Sequence, residues 1–576
     1  MKYFTRNVLI LMAVLAVFMW GLGDKISYQV RELIAQGVSV GDVADGFWRD
    51  LPNVFHVSFA GPDVLVGLVF AAAVVLAFLY RASSPKNYRR REEHGSARWG
   101  TPKDIAPMVN PDIKQNLIFT QTEGISIDTH QTQRNLNALI IGSPGSGKTR
   151  YFVEPNIAQA STSYVITDPN GEIKANTEAH LRSEGYEIRT LDLVSFSPES
   201  DTFNPFAYVT VGQAELDLMI LVENLMTNTA GKNPASSDAF WEKAERAMLS
   251  ALCAYHYAME FENATFGMVI DLLASFEAGE VGEDVMSDGD AAFEAVRLQL
   301  VEDGYLVADE DGNYTENPNA EGGGDFLTDR MMQILLFAYS QYRIYTQGAG
   351  ETKKSILISL GVRLAPLHVS PIRRIMASDT IHAELVRQRK TALFLIIPDT
   401  HQTFSFLVSM FYDLMFQKNI YIADRQDGRH LPVPVQCFMD EFANIGRLPS
   451  FESKIAVMRK RWISACVIIQ NYSQGKALYK DDWEAIVGNC DSKLFLGGDE
   501  ESTVQWVSKR LGKETIDTVN ASVQKGSQGS FTQAERSLGR ELLTPDELAR
   551  LDSSKCVYML RGLPPFLSDK LPPVPW

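Results

Sequence analysis

The segment at residues 142–149, GSPGSGKT, constrains the fold of this 576-residue chain more than any other stretch. It follows the apolar run at residues 137–141, and a G-x-x-x-x-G-K-[ST] loop behind a strand is the setting in which this motif binds nucleotide phosphates. The backbone N–H groups of such a loop converge on phosphate oxygens, so bulky side chains are excluded. A glycine turn without a ligand is the alternative. The segment therefore predicts a nucleotide-binding α/β domain.

The side chains of this loop have distinct predicted roles. Lys148 is expected to act in catalysis by reaching the β- and γ-phosphates of ATP, and the Thr149 hydroxyl is expected to ligate Mg²⁺. The residues predicted to bind the nucleotide all belong to the loop and are Gly142, Ser143, Pro144, Gly145, Ser146, Gly147, Lys148 and Thr149.

Two further apolar runs end in polar residues that suit hydrolysis. The run at residues 435–439 ends in Asp440 and Glu441, and the run at residues 464–469 ends in Gln470. Asp440 is expected to hold the Mg²⁺ shell, and Glu441 is expected to polarise the attacking water as a general base. Gln470 is expected to hydrogen-bond the γ-phosphate or that water. A solvated turn and an ordinary strand-end amide are the alternatives.

Three arginines follow the acidic pair within about twenty residues, namely Arg447, Arg459 and Arg461. Each of them is a candidate to reach the nucleotide of a neighbouring subunit. An exposed arginine without such a role is the commoner explanation, and the sequence does not identify which arginine acts in trans.

Apolar runs of strand length recur on both sides of the loop. They lie at residues 137–141, 163–167, 188–193, 392–397, 435–439, 464–469, 493–496 and 556–560. Because Gly, Pro or Asp bounds these runs and helical patterns separate them, they predict buried parallel strands of a doubly wound α/β sheet. We expect this nucleotide-binding α/β domain, the motor domain of an ATP-driven protein, to comprise residues 117–210 and 386–576.

The alternation stops between residues 211 and 385, where apolar residues recur at helical spacing. Trp241, Met248 and Leu335 belong to this pattern. It predicts an all-α domain inserted into the α/β domain. Within it, residues 277–325 contain fifteen acidic residues and one arginine, and we expect this segment to be mobile and solvated. Whether it docks a protein partner stays open.

Two segments of 17 residues without a charge, 7–23 and 64–80, predict membrane-spanning helices. Basic residues precede the first segment and follow the second, beginning at Arg81. The positive-inside rule then puts both termini in the cytoplasm. A cleaved signal peptide and a buried core helix are the respective alternatives. Residues 1–80 are thus expected to form a membrane anchor, and residues 81–116 a juxtamembrane linker.

Charge and cysteine content exclude other classes of protein. A net charge of −17 argues against a chain that coats itself with nucleic acid, because phosphate contacts need clustered Lys and Arg. A local basic groove or pore is compatible with this charge. The five cysteines are far apart and show no C-x-x-C spacing, which predicts reduced, buried thiols rather than a zinc site or a disulfide framework.

Longer stretches of the chain carry a resemblance to a known family, the coupling proteins of type IV secretion and conjugation systems. The similar stretches are EHGSARWG (93–100), RNLNALIIGSPGSGKTRYFVEPNI (134–157), YVITDPNGEI (164–173), FNPF (203–206), DAFWEKAER (238–246), FMDEFANIG (438–446) and ELLTPDEL (541–548). They occur in the order that the family has. One departure is Asn170, which stands where the family usually has a lysine.

The resemblance implies a RecA-like P-loop NTPase domain with an inserted all-α domain and an N-terminal two-helix transmembrane hairpin. It implies ATP and Mg²⁺ as cofactors and a homo-hexamer at the bacterial cytoplasmic membrane. The implied partners are a relaxase–single-stranded DNA complex and the ATPases and inner-membrane components of the secretion channel. The expected function is ATP-driven transfer of that complex. A coupling ATPase for protein effectors and a nucleotide-gated docking platform are the alternatives.

Overall fold

The computed structural model describes residues 6–37, 57–83, 92–229, 239–276, 286–309, 314–318, 320, 324–348, 350–385, 389–523 and 531–575. The chain divides into two compact units, Met1–Glu93 and His94–Trp576. All of the predicted site residues lie in the larger unit.

The N-terminal unit contains two long apolar helices, α1 (Arg6–Ala35) and α2 (Gly61–Ser83). Two stretches within them, Leu9–Ala35 and Gly61–Tyr80, are long and apolar enough to cross a membrane, with mean hydropathies of 1.9 and 2.4. The predicted spans lie inside these helices. Much of the predicted loop between the spans, residues 38–56, falls outside the described residues.

Helix α1 continues well past residue 23, where the predicted span ends, because its next turns have polar partners within the unit. Asp63 is buried and accepts hydrogen bonds from the Ser27 hydroxyl at 2.7 Å, the Ser58 hydroxyl at 2.6 Å and the Arg31 guanidinium at 2.7 Å. A buried carboxylate needs such partners, and they join the two helices at the end where the apolar pattern stops.

Strands form in the larger unit where apolar runs meet turn residues. In chain order they are β1 (Asn116–Ile118), β2 (Gly124–Ser126), β3 (Ala138–Ile141), β4 (Ser163–Pro169), β5 (Glu187–Asp192), β6 (Leu306–Ala308), β7 (Tyr314–Glu316), β8 (Thr391–Ile397), β9 (Val435–Met439), β10 (Ile463–Ile469), β11 (Ser492–Phe495), β12 (Lys513–Val523), β13 (Phe531–Glu541), β14 (Lys555–Leu560) and β15 (Phe566–Asp569). Each of the eight predicted runs is a strand.

Nine of the strands in the described part of the chain form one sheet, in the order β15-β14-β11-β3-β10-β9-β4-β8-β5. The strands from β11 to β5 are parallel, as predicted. The prediction was wrong for residues 556–560, since β14 runs antiparallel to both β11 and β15. Only five residues join β14 to β15, which is enough for a hairpin but too few for a parallel crossover.

The helices of the larger unit cover both faces of this sheet and build the insertion. In chain order they are α3 (Pro102–Ile105), α4 (Thr129–Thr132), α5 (Glu154–Ala158), α6 (Glu172–Ser183), α7 (Ala214–Asn228), α8 (Ala239–Glu260), α9 (Phe266–Ala274), α10 (Asp288–Glu302), α11 (Phe326–Thr346), α12 (Gly350–Arg363), α13 (Ser370–Ile375), α14 (Ser405–Ala423), α15 (Phe451–Val457), α16 (Tyr472–Tyr479), α17 (Asp482–Gly488), α18 (Glu501–Leu511) and α19 (Pro545–Ala549).

The segment between residues 211 and 385 is helical over most of its described length, from α7 to α13. Met248 of α8 and Leu335 of α11 are buried, as their helical spacing predicts. The prediction of an all-α insertion was wrong in one detail, because β6 and β7 form a short antiparallel hairpin.

The acidic segment predicted to be solvated contains the folded helix α10. Phe293 of this helix is buried and stacks on Tyr342 of α11, with ring centroids 4.3 Å apart. The Tyr342 hydroxyl donates to Asp290 at 2.6 Å. The expectation of a solvated segment is therefore wrong for α10, because Phe293, Val296 and Leu300 recur at helical spacing and are buried.

Part of the predicted juxtamembrane linker packs on the antiparallel hairpin of β12 and β13. The Ala97 N–H donates to the Lys513 carbonyl at 2.9 Å, and the His94 N–H donates to the Thr515 hydroxyl at 3.1 Å. A Cβ at Gly95 would lie 2.1 Å from the Lys513 carbonyl oxygen, so this close approach requires glycine. Residues 94–97 are thus fixed to the larger unit.

Candidate active site

The sheet order brings three predicted site segments together. Strand β10 lies between β3 and β9, with Ile469 paired to Ile141 and Val467 paired to Met439. Because the three strands are parallel, the residues that follow them emerge at the same edge of the sheet. Gly142, Asp440 and Gln470 are the first residues beyond these strands, and ligands of open α/β sheets bind at that edge.

The phosphate loop is held to the ends of neighbouring strands. The Gly142 N–H donates to the Ile469 carbonyl at 3.2 Å, and the Ser143 N–H donates to the Gly497 carbonyl at 3.0 Å. Gly147 has a φ of 83°, and a Cβ there would lie 2.2 Å from the Tyr151 ring. A side chain at this position would therefore both strain the backbone and clash.

A π-helical turn, Thr149–Val153, connects the loop to α5. Pro155 lacks an N–H, and in a regular α-helix its ring would collide with the carbonyl four residues earlier, that of Tyr151. The wider turn, in which the Glu154 N–H donates to the Thr149 carbonyl, lets the chain pass this proline without breaking the helix.

The Lys148 side chain lies inside the loop. It is 8% exposed, and its Nζ donates to the Gly142 carbonyl at 3.0 Å and lies 3.9 Å from Glu441 Oε1. The loop backbone and the acidic pair thus hold the ammonium group between them. That Lys148 reaches the β- and γ-phosphates of a bound nucleotide, as lysines of such loops do, stays a prediction.

Thr149 and Asp440 meet at the predicted Mg²⁺ position, where the Thr149 hydroxyl donates to Asp440 Oδ2 at 2.9 Å. Burial raises the pKa of Asp440 to about 6, and the Thr149 hydrogen bond offsets only part of that rise. A hydroxyl and a carboxylate are oxygen ligands of the kind that Mg²⁺ prefers. A buried carboxylate that is disfavoured as an anion also gains from a cation, so these residues fit the ion.

Glu441, the second residue of the acidic pair, contacts Gln470. The Gln470 amide Nε2 lies 3.0 and 2.9 Å from the two carboxylate oxygens of Glu441. Glu441 has a φ of 49°, a left-handed conformation that is costly for a residue with a Cβ and is concentrated at functional sites. The sequence predicts that Gln470 contacts the γ-phosphate or the water, and the structure places its amide against the predicted general base.

These residues border an open cleft of about 590 Å³. Its lining includes four of the eight predicted loop residues (Gly145, Gly147, Lys148 and Thr149) and the predicted Asp440, Glu441 and Gln470. The other four loop residues (Gly142, Ser143, Pro144 and Ser146) are not among the residues that line it. The volume is within the range of small-molecule sites, and the lining is mostly polar, as phosphate groups require.

Residues that follow β4 and β8 also line the cleft, although the sequence did not assign them to it. Asn170 has a φ of 62°, and its side-chain amide donates to Asp399 Oδ2 at 2.6 Å. Asp168 is buried behind them and accepts from the backbone N–H groups of Ile173 and Lys174, at 3.0 and 2.7 Å. Burial raises the pKa of Asp168 to about 6. In the sequence, the stretch at residues 164–173 drew attention to Asp168 and Asn170, whereas no pattern marked Asp399.

Lys570 supports the phosphate loop from the end of the chain. Its Nζ donates to the Ser146 carbonyl at 3.0 Å and lies 5.5 Å from the centroid of the Tyr151 ring. The side chain is 6% exposed, and burial lowers its pKa. No local pattern marks this lysine, because it reaches the loop only through the pairing of β15 with β14 and of β14 with β11.

The three candidate arginines make contacts within their own chain, outside the residues that line the described cleft. Arg447 binds Asp482 at 3.1 Å, and Arg461 binds Asp424 at 2.6 Å. The Arg459 guanidinium donates to the Gln133 carbonyl at 3.4 Å. A role in trans stays a prediction for all three.

Comparison with known proteins identifies the family. The family model described as "Type IV secretory system Conjugative DNA transfer" matches residues 112–572. The chain belongs to this family. The VirD4 protein of Rhizobium rhizogenes is 21% identical to this coupling protein over 537 residues, which cover 91% of this chain and 72% of VirD4. The conjugal transfer protein TraG of Rhizobium radiobacter is 19% identical over 453 residues, 74% of this chain and 60% of TraG.

Solved structures confirm the RecA-like fold of this coupling protein. The conjugative coupling protein TrwB, in a form lacking its first 70 residues, superposes with a TM-score of 0.57 at 14% identity, over 84% of this chain and 95% of that one. TrwB in complex with ADP and Mg²⁺ gives a TM-score of 0.55 at 13% identity, over 84% of this chain and 94% of TrwB.

Proposed function

We propose that this coupling protein binds ATP with Mg²⁺ in the cleft and hydrolyses it to drive a relaxase–single-stranded DNA complex through a type IV secretion channel. The observation that carries this proposal is the meeting of Lys148, the Thr149–Asp440 pair and the Glu441–Gln470 pair at three adjacent strand ends. TrwB structures with ADP and Mg²⁺ and with an ATP analogue support nucleotide binding by this fold.

Each side chain has a chemical task in this proposal. The loop N–H groups and the Lys148 ammonium bind the β- and γ-phosphates, and Thr149 and Asp440 hold Mg²⁺, which neutralises charge on the phosphate oxygens when it is bound. Glu441 accepts a proton from the attacking water, and Gln470 fixes the orientation of its carboxylate.

The most direct test of the motor function uses Lys148→Ala. This variant should lose ATP hydrolysis and DNA transfer while it still fractionates with the membrane, because the substitution removes a phosphate contact and leaves the N-terminal unit intact. Lys174→Ala, in α6 outside the cleft lining, is the matched control and should keep both activities. Transfer at the parent rate by Lys148→Ala would contradict the proposal.

We also propose that α1 and α2 anchor the protein in the bacterial cytoplasmic membrane with both termini in the cytoplasm. Their apolar length and the flanking basic residues support this topology. A topology reporter inserted after Gly41 should read as external, and one fused to Trp576 should read as cytoplasmic. A cytoplasmic reading after Gly41 would overturn the two-span arrangement.

Assembly as a homo-hexamer is part of this proposal, as are contacts with the channel's ATPases and inner-membrane components. The family membership supports both. In such a ring DNA meets only pore-facing loops, so a few basic residues from each subunit suffice despite the net charge of −17. Mass photometry of the full-length protein with an ATP analogue should show a sixfold species, and a persistent monomer would contradict the ring.

We assign the selection of cargo to the insertion, and transport to the motor. The core of the insertion is continuous with the core on one face of the sheet, so the exchange should keep α7 in place and replace helices α8 to α12 together. Replacing residues 239–363 with the matching segment of another coupling protein should keep ATPase activity and redirect transfer to that system's relaxase. Transfer of the original cargo by the chimera would place recognition elsewhere.

A further inference from the structure

Helix α7, the first helix of the insertion, ends against the loop that follows the acidic pair. The Asn228 side chain lies at this contact. Its Oδ1 accepts from the Arg447 N–H at 2.8 Å, and its Nδ2 donates to the Arg447 carbonyl at 2.9 Å. One amide thus binds both backbone groups of one residue, which requires a side chain with an acceptor and a donor side by side.

The surrounding residues fit closely around this pair. Gly446 has a φ of 89°, and a Cβ there would lie 2.7 Å from Asn228 Oδ1. The Ser409 hydroxyl of α14 also donates to the Arg447 carbonyl at 2.8 Å, and Asn228 Nδ2 lies 3.1 Å from that hydroxyl. The contact therefore joins the insertion, the loop and the motor helix α14 at one backbone position.

The loop between Glu441 and Arg447 is short and internally bonded. The Asn444 N–H donates to the Glu441 carbonyl at 2.7 Å, and the Ile445 N–H donates to the Phe442 carbonyl at 3.2 Å. Phe442 and Ile445 are buried, and Asn444 lines the cleft. A shift of the Arg447 backbone is therefore passed to Glu441, because little of the intervening chain is free to absorb it.

The same end of α7 is tied to other helices of the insertion. The Arg363 guanidinium of α12 donates to the Met226 carbonyl at 3.0 Å. Glu223, one turn earlier, forms an ion pair with Arg246 of α8. A movement of α8 or α12 therefore acts on the last turn of α7, where Asn228 lies.

We propose that Asn228 is a positioning residue that holds the loop behind Glu441 in register with the insertion, so that displacement of α7 changes the rate of ATP hydrolysis. This inference rests on the proposed function, because it assumes that the cleft hydrolyses ATP. In this proposal the contact does more than stabilise the fold, because it couples the position of the insertion to the position of Glu441.

The test compares Asn228→Ala and Asn228→Asp with Thr227→Ala in the full-length protein. Thr227 lies beside Asn228, and its hydroxyl donates to Glu223 of the same helix at 3.3 Å, so it is the matched control. Both Asn228 variants should lower kcat by about 10- to 100-fold, since a misplacement of about 1 Å costs up to about 100-fold. KM for ATP and the thermal midpoint should stay near the parent values. Thr227→Ala should hydrolyse at the parent rate.

Asn228→Asp keeps the shape of the side chain and the acceptor but loses the donor, so it stays informative if Asn228→Ala folds poorly. An unchanged kcat in the aspartate variant would overturn the proposal. A fall in kcat that only follows a lower thermal midpoint would show a structural role and would overturn it as well.

A double-mutant cycle tests the transmission from the insertion. Glu223→Gln weakens the tie between α7 and α8 and should change kcat in the parent, but it should cause no further change in Asn228→Ala. Additive effects would contradict transmission through Asn228. If the parent protein hydrolysed no ATP, the proposed function would fail. Hydrogen exchange of residues 442–448 would then test whether Asn228 holds this loop. Exchange should be faster in both Asn228 variants, and unchanged exchange would contradict the role of Asn228.

Discussion

Asp440 and Asp168 in the nucleotide cleft and Glu245 in the helical insertion are buried carboxylates with opposite kinds of partner. In the cleft, the buried carboxyl groups of Asp440 and Asp168 are held by hydroxyl and backbone donors, and burial raises the pKa of each to about 6. In the insertion, Arg330 binds Glu215 at 2.6 Å and Arg363 binds Glu245 at 2.9 Å. The cleft is thus prepared for a cation, whereas these insertion charges are already neutralised.

This difference is expected from the role proposed for each region. A site that receives Mg²⁺ and a polyanion must leave some charge uncompensated in the free protein, and it loses stability by doing so. A recognition domain gains nothing from unpaired buried charge. Asp440 and Glu245 should therefore respond in opposite directions when each is neutralised.

The largest expected effect comes from Asp440→Asn. Hydrolysis should fall by at least ~100-fold, because the Mg²⁺ position loses its carboxylate. The free protein should become more stable at pH 7.5 by up to about 3 kcal/mol, because the raised pKa means that the folded state disfavours the anion there. Steady-state ATPase assays and thermal unfolding without Mg²⁺ measure the two effects.

Glu245→Gln is the matched control in the insertion. Its carboxylate is buried and paired with Arg363, so neutralising it should lower stability by about 3 kcal/mol or more, the opposite sign to Asp440→Asn. Nucleotide affinity should be unaffected. If both substitutions shifted stability in the same direction, the contrast between the two regions would be wrong.

Acidification should have a smaller effect, which is a loss of Mg²⁺ affinity in the cleft. A carboxyl group whose pKa in the folded state is about 6 becomes protonated as the pH falls through 6, and protonated Asp440 cannot hold Mg²⁺. The apparent Kd for Mg²⁺ should therefore rise about tenfold between pH 7 and pH 5. Titration with Mg²⁺ in the presence of a fluorescent ATP analogue at several pH values checks this, and a flat profile would contradict it.

Lys570→Met should have the smallest of these effects. It removes the hydrogen bond from Nζ to the Ser146 carbonyl and should weaken nucleotide binding about fivefold, with less effect on kcat. Lys555→Met is the control, since this lysine lies on the neighbouring strand β14 and binds Asp569 at the surface. Equal affinities of the two variants would show that the loop does not depend on Lys570.

Sequence patterns predicted the parts of this molecule that local chemistry determines. The strands β3, β9 and β10, and with them the positions of Lys148, Asp440 and Glu441, follow from short apolar runs that end in polar residues. The start of α19 is determined by local chemistry as well, because Thr544 and Glu547 form a capping box.

Contacts between distant parts of the chain were not predictable in this way. Lys570 is 424 residues from Ser146, and Asn228 is 219 residues from Arg447, so no spacing rule joins them. The direction of β14 depends on the short connection to β15 rather than on its own composition. Helix α10 was missed because its acidic residues outnumber the three apolar ones that are buried, although those three decide the packing.

The measurement that tests the central claim most directly is the turnover of Glu441→Gln compared with its nucleotide affinity. If Glu441 is the general base of a hydrolytic cleft, this variant should bind an ATP analogue with Mg²⁺ about as tightly as the parent and hydrolyse ATP at least ~100-fold more slowly. Hydrolysis at the parent rate would remove Glu441 from the reaction and contradict the account of the site.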